Sequence, residues 1–128
     1  MTDIVKPFEI IKMKSANPND ERGSTYELKF PGIIQVTTYE RKKGSTARHY
    51  HKGRDDSKNP EILVLIKGKM KIIFKVDNQE PQERILTAGT ILKIWPLTKH
   101  TVEFLEDSVF IELRVTHFDP ENPDTYTF

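Results

Sequence analysis

The sequence contains no cysteine, which excludes disulfide bonds, thiolate metal ligands and a cysteine nucleophile. The sequence also has no large excess of charge of one sign, because its 20 lysines and arginines nearly balance its 19 aspartates and glutamates. A chain with so little net charge does not attract nucleic acid or an anionic membrane through its overall field. No apolar run approaches the roughly 18 residues of a membrane span, and the first residues do not resemble a signal peptide. We therefore expect a cytoplasmic protein that binds neither nucleic acid nor membranes.

Helical periodicity is nearly absent as well, whereas short β-branched and aromatic segments alternate with turn residues. A chain of 128 residues is long enough for one domain with a hydrophobic core and too short for two. Strands are predicted at residues 25–28, 33–39, 62–66, 70–76, 82–86, 90–95, 101–105 and 109–116. Short strands at such regular spacing predict an all-β sandwich or barrel. Residues 15–20 are expected to form an exposed loop, and the proline-containing tail at 117–128 is expected to lie over the surface or against a partner subunit.

Histidine is scarce, and its distribution is the most informative feature of the chain. Of the 4 histidines, His49 and His51 stand two positions apart and His100 lies further along. Residues at i and i+2 of a β-strand share one face, so both imidazoles are expected on the same side of a sheet. Three neutral imidazoles with a carboxylate, for which Glu61 is the candidate, suit zinc, iron, manganese or nickel. We therefore predict one divalent metal ion with His49, His51, Glu61 and His100 as its ligands.

The residues around these histidines resemble the two sequence motifs of the cupin superfamily. The first motif is matched by Gly44, His49, His51, Glu61 and Gly68. The second motif is matched by Gly89, Pro96 and His100. The motifs span about residues 44–68 and 89–104, with N-terminal strands expected within 1–32. The resemblance implies a single-domain jelly-roll β-barrel over residues 1–128, a fold that cupins are known to use.

The sequence departs from the first motif in the spacing between His51 and Glu61. Nine residues, 52–60, separate the two, where the common motif has three or four. We interpret these residues as a polar loop at the mouth of the barrel. Asp55 or Asp56 stands at the usual distance from His51 and is the alternative acidic ligand. Glu61 is favoured because it leads directly into an apolar strand and keeps the usual step to the following glycine.

A narrower resemblance covers most of the chain. Residues 21–23, 34–38, 49–51 and 118–126 are similar to the C-terminal cupin domain of capsular-polysaccharide assembling enzymes, which act on UDP-linked deoxy-amino sugars. In that family the cupin half binds zinc and epimerises a keto-sugar nucleotide, and a separate reductase half completes the synthesis. The resemblance implies zinc as the metal, a sugar nucleotide as substrate, and an epimerase or isomerase role in surface polysaccharide synthesis.

Such a reaction needs a group that removes the proton beside the ketone. Tyr39 and Glu112 are candidate catalytic residues for this step. Arg41 and Arg48 are candidates for binding the diphosphate, since a guanidinium can bind phosphate oxygens bidentately. Trp95 is the candidate for stacking on the base or the sugar ring.

Two other functions are compatible with the same residues. An iron-dependent cupin oxygenase would use the same four ligands, and a non-enzymatic module would bind a sugar or another ligand without reaction. Fold alone does not decide among them, because one fold hosts many chemistries. Cupins commonly pair through edge strands, so we expect a homodimer.

Overall fold

Two antiparallel sheets of five strands each form the part of the chain that the structure describes. The computed structural model describes residues 6–16 and 21–128. The strands are β1 (Phe8–Lys12), β2 (Gln35–Arg41), β3 (Thr46–Tyr50), β4 (Glu61–Lys67), β5 (Lys69–Lys75), β6 (Gln82–Thr87), β7 (Thr90–Ile94), β8 (Lys99–Phe104), β9 (Ser108–Arg114) and β10 (Tyr126–Thr127). The strand orders are β1-β7-β4-β9-β2 in the first sheet and β10-β3-β8-β5-β6 in the second. This is the predicted all-β jelly-roll architecture.

The main core lies between the two sheets, and β5 illustrates how the sequence forms it. Met70, Ile72 and Phe74 alternate along β5 with residues that are more exposed, and each of the three is at most 3% exposed. Alternation with period two places all three on the inner face of the sheet. They pack against buried side chains of both sheets. Burying one such side chain contributes roughly 1.5–3 kcal/mol.

A second apolar cluster lies on the other face of the first sheet. Val64 and Leu65 are adjacent in β4, yet both are buried, at 0% and 3% exposure. Leu65 belongs to the main core, whereas Val64 belongs to this second cluster, which is covered by Leu28 and Phe30. The continuous apolar run at 62–66 is therefore explained by a strand that is covered on both faces.

The predicted strand at 25–28 is wrong. Those residues form no strand, and Tyr26 is half exposed. The segment instead crosses the outer face of the first sheet in irregular conformation, because its apolar side chains pack on that face and not within a ladder. Of the loop expected at 15–20, residues 17–20 lie outside the described residues. Within the described ranges, no helix has the length and hydropathy needed to cross a membrane.

Candidate functional site

A cavity of about 170 Å³ lies between the sheets. The predicted site residues in its wall are Tyr39, Arg41, His49, His51, Glu61, His100 and Glu112. Apolar side chains such as Leu63, Ile72 and Phe110 supply much of the remaining surface. A mostly apolar cavity with a few converging polar groups is typical of a small-molecule site.

Three imidazoles converge on one side of this cavity. His49 in β3 stands directly opposite His100 in β8, and His51 follows β3 by one residue. One ligand nitrogen of each histidine lies within 4.8 Å of those of the other two. The shared face of His49 and His51 is the one that their two-residue spacing predicts.

Backbone carbonyl groups determine which imidazole nitrogens are free. Nδ1 of His51 lies 2.7 Å from the carbonyl oxygen of Asp124, and Nδ1 of His100 lies 3.0 Å from that of Thr98. Because a carbonyl oxygen only accepts hydrogen bonds, each Nδ1 carries the proton and each Nε2 keeps a free lone pair. Both Nε2 atoms are buried and, among the described residues, have no hydrogen-bond partner. Buried polar atoms are normally paired, so these two nitrogens are available to a ligand.

Burial favours the neutral form of His49 and His100. Burial, and to a smaller extent the neighbouring His100, lowers the pKa of His49 to about 4. Burial also lowers the pKa of His100, despite the opposing effect of the Glu61 carboxylate. Neutral imidazoles with a carbonyl partner on the far nitrogen are the form in which histidine binds metals. The donor set of His49, His51 and His100 therefore fits a divalent metal ion.

Glu61 is near this cluster but is bonded elsewhere. Its Oε2 lies 3.2 Å from Nε2 of His51, without the alignment of a hydrogen bond. The same oxygen accepts a hydrogen bond from Nζ of Lys58 at 2.5 Å. Burial alone would raise the pKa of Glu61, but opposing effects, of which the charge of Lys58 is the largest, hold that pKa well below its usual range.

Lys58 is a central residue of the site that the sequence did not identify. It is carried by the short 3₁₀ helix Asp56–Lys58 within the segment that separates His51 from Glu61. Its Nζ donates to Oε2 of Glu61 at 2.5 Å and to Oε2 of Glu112 at 2.6 Å. Burial would lower the pKa of Lys58, but the two carboxylates prevail and raise it. The signal in the sequence was the unusual length of the segment itself.

Another part of the wall holds a tyrosine–carboxylate pair. Tyr39 in β2 donates from its hydroxyl group to Oε1 of Glu112 in β9, at 3.4 Å. Burial raises the pKa of Tyr39, and the charge of Glu112 raises it further, so the hydroxyl stays protonated at neutral pH. Arg41 lies over the Tyr39 ring, with its guanidinium carbon 5.0 Å from the ring centroid. These groups can donate a proton and hold an anion at one side of the cavity.

Solved structures provide the comparison with known proteins, since no model of a protein family matches the sequence and no curated protein matches it. The 3,4-ketoisomerase QdtA from Thermoanaerobacterium thermosaccharolyticum, solved in complex with TDP, is 22% identical with a TM-score of 0.72, over 96% of this chain and 89% of that chain. The dTDP-4-dehydrorhamnose 3,5-epimerase from Sulfolobus tokodaii is 22% identical with a TM-score of 0.72, over 98% and 79%. This chain has the cupin fold.

A third solved structure supports the narrower resemblance of the sequence. The capsular polysaccharide assembling protein CapF from Staphylococcus aureus is 29% identical, with a TM-score of 0.61. The match covers 98% of this chain and 33% of CapF. This chain therefore spans about a third of the length of that protein.

Two residues predicted to bind substrate, Arg48 and Trp95, do not line the cavity. Arg48 points to the opposite face of β3 from His49 and lies over the ring of Phe128, at 4.5 Å from its centroid. The reason is strand alternation, which sends neighbouring side chains to opposite faces. Trp95 is half-buried outside the cavity wall, just beyond β7, and its backbone N–H donates to the carbonyl oxygen of Pro7.

The alternative acidic ligands, Asp55 and Asp56, also lie outside the cavity wall. Asp55 caps the 3₁₀ helix by accepting from the N–H of Ser57, and it pairs with Nη2 of Arg114 at 2.5 Å. Asp56 is exposed. Of the three carboxylates weighed from the sequence, Glu61 is the one in the cavity wall.

Proposed function

We propose that this cupin is an isomerase or epimerase that acts on a nucleotide-linked keto-sugar in surface polysaccharide synthesis. The observation that carries the proposal is the placement, in one cavity, of unprotonated imidazole nitrogens and a protonated Tyr39 hydroxyl bonded to Glu112. The proposal is supported by the likeness of the fold to a 3,4-ketoisomerase and a 3,5-epimerase of TDP-linked sugars.

Isomerisation and epimerisation of a keto-sugar both pass through an enol or enolate. One group must take the proton beside the ketone, and another must deliver a proton to the oxygen or to the other face of the carbon. Tyr39 suits the donating role because burial and Glu112 keep its hydroxyl protonated. Glu112 orients that hydroxyl and is itself held by Lys58. Arg41 is available at the same wall to bind the diphosphate.

The proposal includes one divalent metal ion. Zinc is the favoured metal, and iron, manganese and nickel are the alternatives. His49, His51 and His100 would hold it, since two of these imidazoles present buried Nε2 atoms without a partner. A bound ion supplies Lewis-acid polarisation of the sugar carbonyl group. The carbonyl oxygens of Asp124 and Thr98 keep the tautomers that leave Nε2 free. Glu61 as a fourth ligand stays a prediction, as do the homodimer and the cytoplasmic location.

The proposal is tested by proton exchange in heavy water. The protein is incubated anaerobically with UDP- or dTDP-linked 4-keto-6-deoxyglucose, and the sugar C–H signals beside the ketone are followed by NMR. We expect loss of one of these signals, and a slowing on the order of 100-fold in Tyr39→Phe, because general acid–base groups contribute about that much or more. Thr38→Val is the matched control, since Thr38 is exposed on the outer face of the same strand.

The other outcomes separate the competing functions. Exchange without oxygen rules out the oxygenase. Nucleotide-sugar binding without any exchange would contradict the isomerase and favour a binding module. Full activity in Tyr39→Phe would remove the role assigned to Tyr39.

A further inference from the structure

The long segment between His51 and Glu61 delivers a buried ammonium group to the imidazole cluster. Lys58 is 8% exposed, and its Nζ contacts one oxygen of Glu61 and one of Glu112. A lysine this buried requires paired charges, and both carboxylates provide them. Lys58 is therefore built into the site and is not a surface charge.

The position of Lys58 has a direct effect on the predicted ligand set. The carboxylate oxygen of Glu61 that lies 3.2 Å from Nε2 of His51 is the same oxygen that Lys58 binds. A metal ion at the imidazoles and the ammonium group thus compete for one oxygen atom. The ammonium group also repels a dication across a buried site, where charges interact more strongly than in water.

We propose that Lys58 withholds Glu61 from the metal and thereby tunes the site to a three-histidine centre of reduced metal affinity with an open position. This inference rests on the metal site of the proposed function. Glu61 remains an ion-pair partner of Lys58 beside the metal, and the open position stays accessible to a substrate oxygen. Removal of the ammonium group would turn Glu61 into a fourth protein ligand.

The test is a zinc titration against a chromophoric chelator, with no sugar present. It compares the wild type, Lys58→Met, Glu61→Gln and the double variant Lys58→Met/Glu61→Gln. We expect Lys58→Met to bind zinc about tenfold more tightly or better, since it frees an anionic ligand and removes a cation. The gain in zinc affinity that Lys58→Met causes should be much smaller when the protein also carries Glu61→Gln. Lys29→Met, a lysine whose side chain is 85% exposed, is the matched control and should bind like the wild type.

A charge-balanced variant keeps the test valid if Lys58→Met does not fold. Lys58→Met leaves two buried carboxylates without their shared cation, so Lys58→Met/Glu112→Gln removes one charge of each sign and still frees Glu61. It should also bind zinc more tightly than the wild type. Cobalt(II) gives an independent readout, because its visible absorption reports ligand number and geometry. We expect the spectrum to change in Lys58→Met and to keep the wild-type form in Lys58→Met/Glu61→Gln.

Three results would overturn the inference. They are an equal gain in zinc affinity with and without Glu61, an unchanged or weaker zinc affinity in both Lys58→Met and Lys58→Met/Glu112→Gln, and no zinc binding by any variant. The proposed isomerase is judged separately by sugar proton exchange. An inactive protein with the expected zinc series would refute the reaction and leave the role of Lys58 intact.

Discussion

His51 illustrates how one distant carbonyl group sets the chemistry of an imidazole. Its Nδ1 donates to the carbonyl oxygen of Asp124, a residue 73 positions away in the chain. The carboxylate of Asp124 in turn accepts from the backbone N–H groups of Lys52 and Asp55, at 3.0 and 3.1 Å. Burial would raise the pKa of Asp124, but these N–H groups outweigh it and lower the pKa. Asp124 therefore connects the C-terminal tail to the residues that follow β3.

Asp124→Ala removes this connection. It should destabilise the protein and allow His51 to populate both neutral tautomers. Two partly buried backbone N–H groups lose their charged acceptor, and a hydrogen bond to a charged group contributes about 1.5–3 kcal/mol. Urea unfolding measures the stability, and long-range proton–nitrogen NMR reports the tautomer of His51. Asp119→Ala, an exposed acid of the same tail, is the control. Unchanged stability and a single unchanged tautomer in Asp124→Ala would contradict the assignment.

The pKa of His49 predicts how the metal-free protein responds to acid. Burial lowers that pKa from its ordinary value of 6.5 to about 4 in the folded chain. Between these two values the unfolded chain binds a proton that the folded chain does not, so stability falls as the pH falls from 6.5 towards 4. Thermal melts in EDTA at several pH values should show this decline, and a shallower decline in His49→Gln. If the stability of the wild type and of His49→Gln fell in parallel with pH, His49 would be excluded as a source of the pH dependence.

At the scale of the elements, the turns between strands explain why glycine is needed at one motif position and not at another. Gly68 joins β4 to β5 with a φ of 99°, and a Cβ atom there would lie 2.1 Å from Oγ of Ser108. Leu97, which lies between the second-motif residues Pro96 and His100, joins β7 to β8 with a φ of 68°. Its side chain is 63% exposed, so there is room for it, but the backbone remains in the left-handed region that glycine prefers.

Leu97→Gly should therefore stabilise the protein. The left-handed conformation costs a non-glycine residue roughly 1–2 kcal/mol, partly offset by the greater freedom of glycine in the unfolded chain. The expected net gain in the free energy of unfolding is a few tenths to about 1 kcal/mol. Leu97→Ala keeps the strain and serves as the control, and both are compared by chemical denaturation. A loss of stability in Leu97→Gly larger than in Leu97→Ala would show that the leucine side chain matters more than the backbone.

The strand predictions succeeded where a local pattern and the tertiary role agree. The alternation in β5 and the apolar run in β4 both reflect burial that the sequence pattern encodes directly. Residues 25–28 have strand-like composition but pack as an irregular cover on the first sheet. Tyr126–Thr127 pairs with β3 as β10, at the edge of the second sheet. The prolines at 120 and 123, which lack a backbone donor, come before the paired residues.

Across the whole molecule, the cavity depends on both sheets at once. The second sheet carries His49 and His100, and the first carries Tyr39 and Glu112. Lys58 connects two neighbouring strands of the first sheet, because it is bonded to Glu61 in β4 and Glu112 in β9. These ion pairs also fix the segment that carries Lys58 against that sheet, so the site and the packing of this segment are mutually dependent. Loss of either carboxylate should therefore affect stability as well as activity.

The sequence by itself determined the all-β class, the strands with strong alternation and the shared face of His49 and His51, since each depends on residues close together in the chain. Only the tertiary structure decided which imidazole nitrogens are free, that Arg48 points away from the cavity, and that Lys58 turns inward to bind Glu61. Those features arise from contacts such as that of His51 with Asp124, between residues far apart in sequence. A local pattern carries no information about partners that meet only when both sheets have closed around one core.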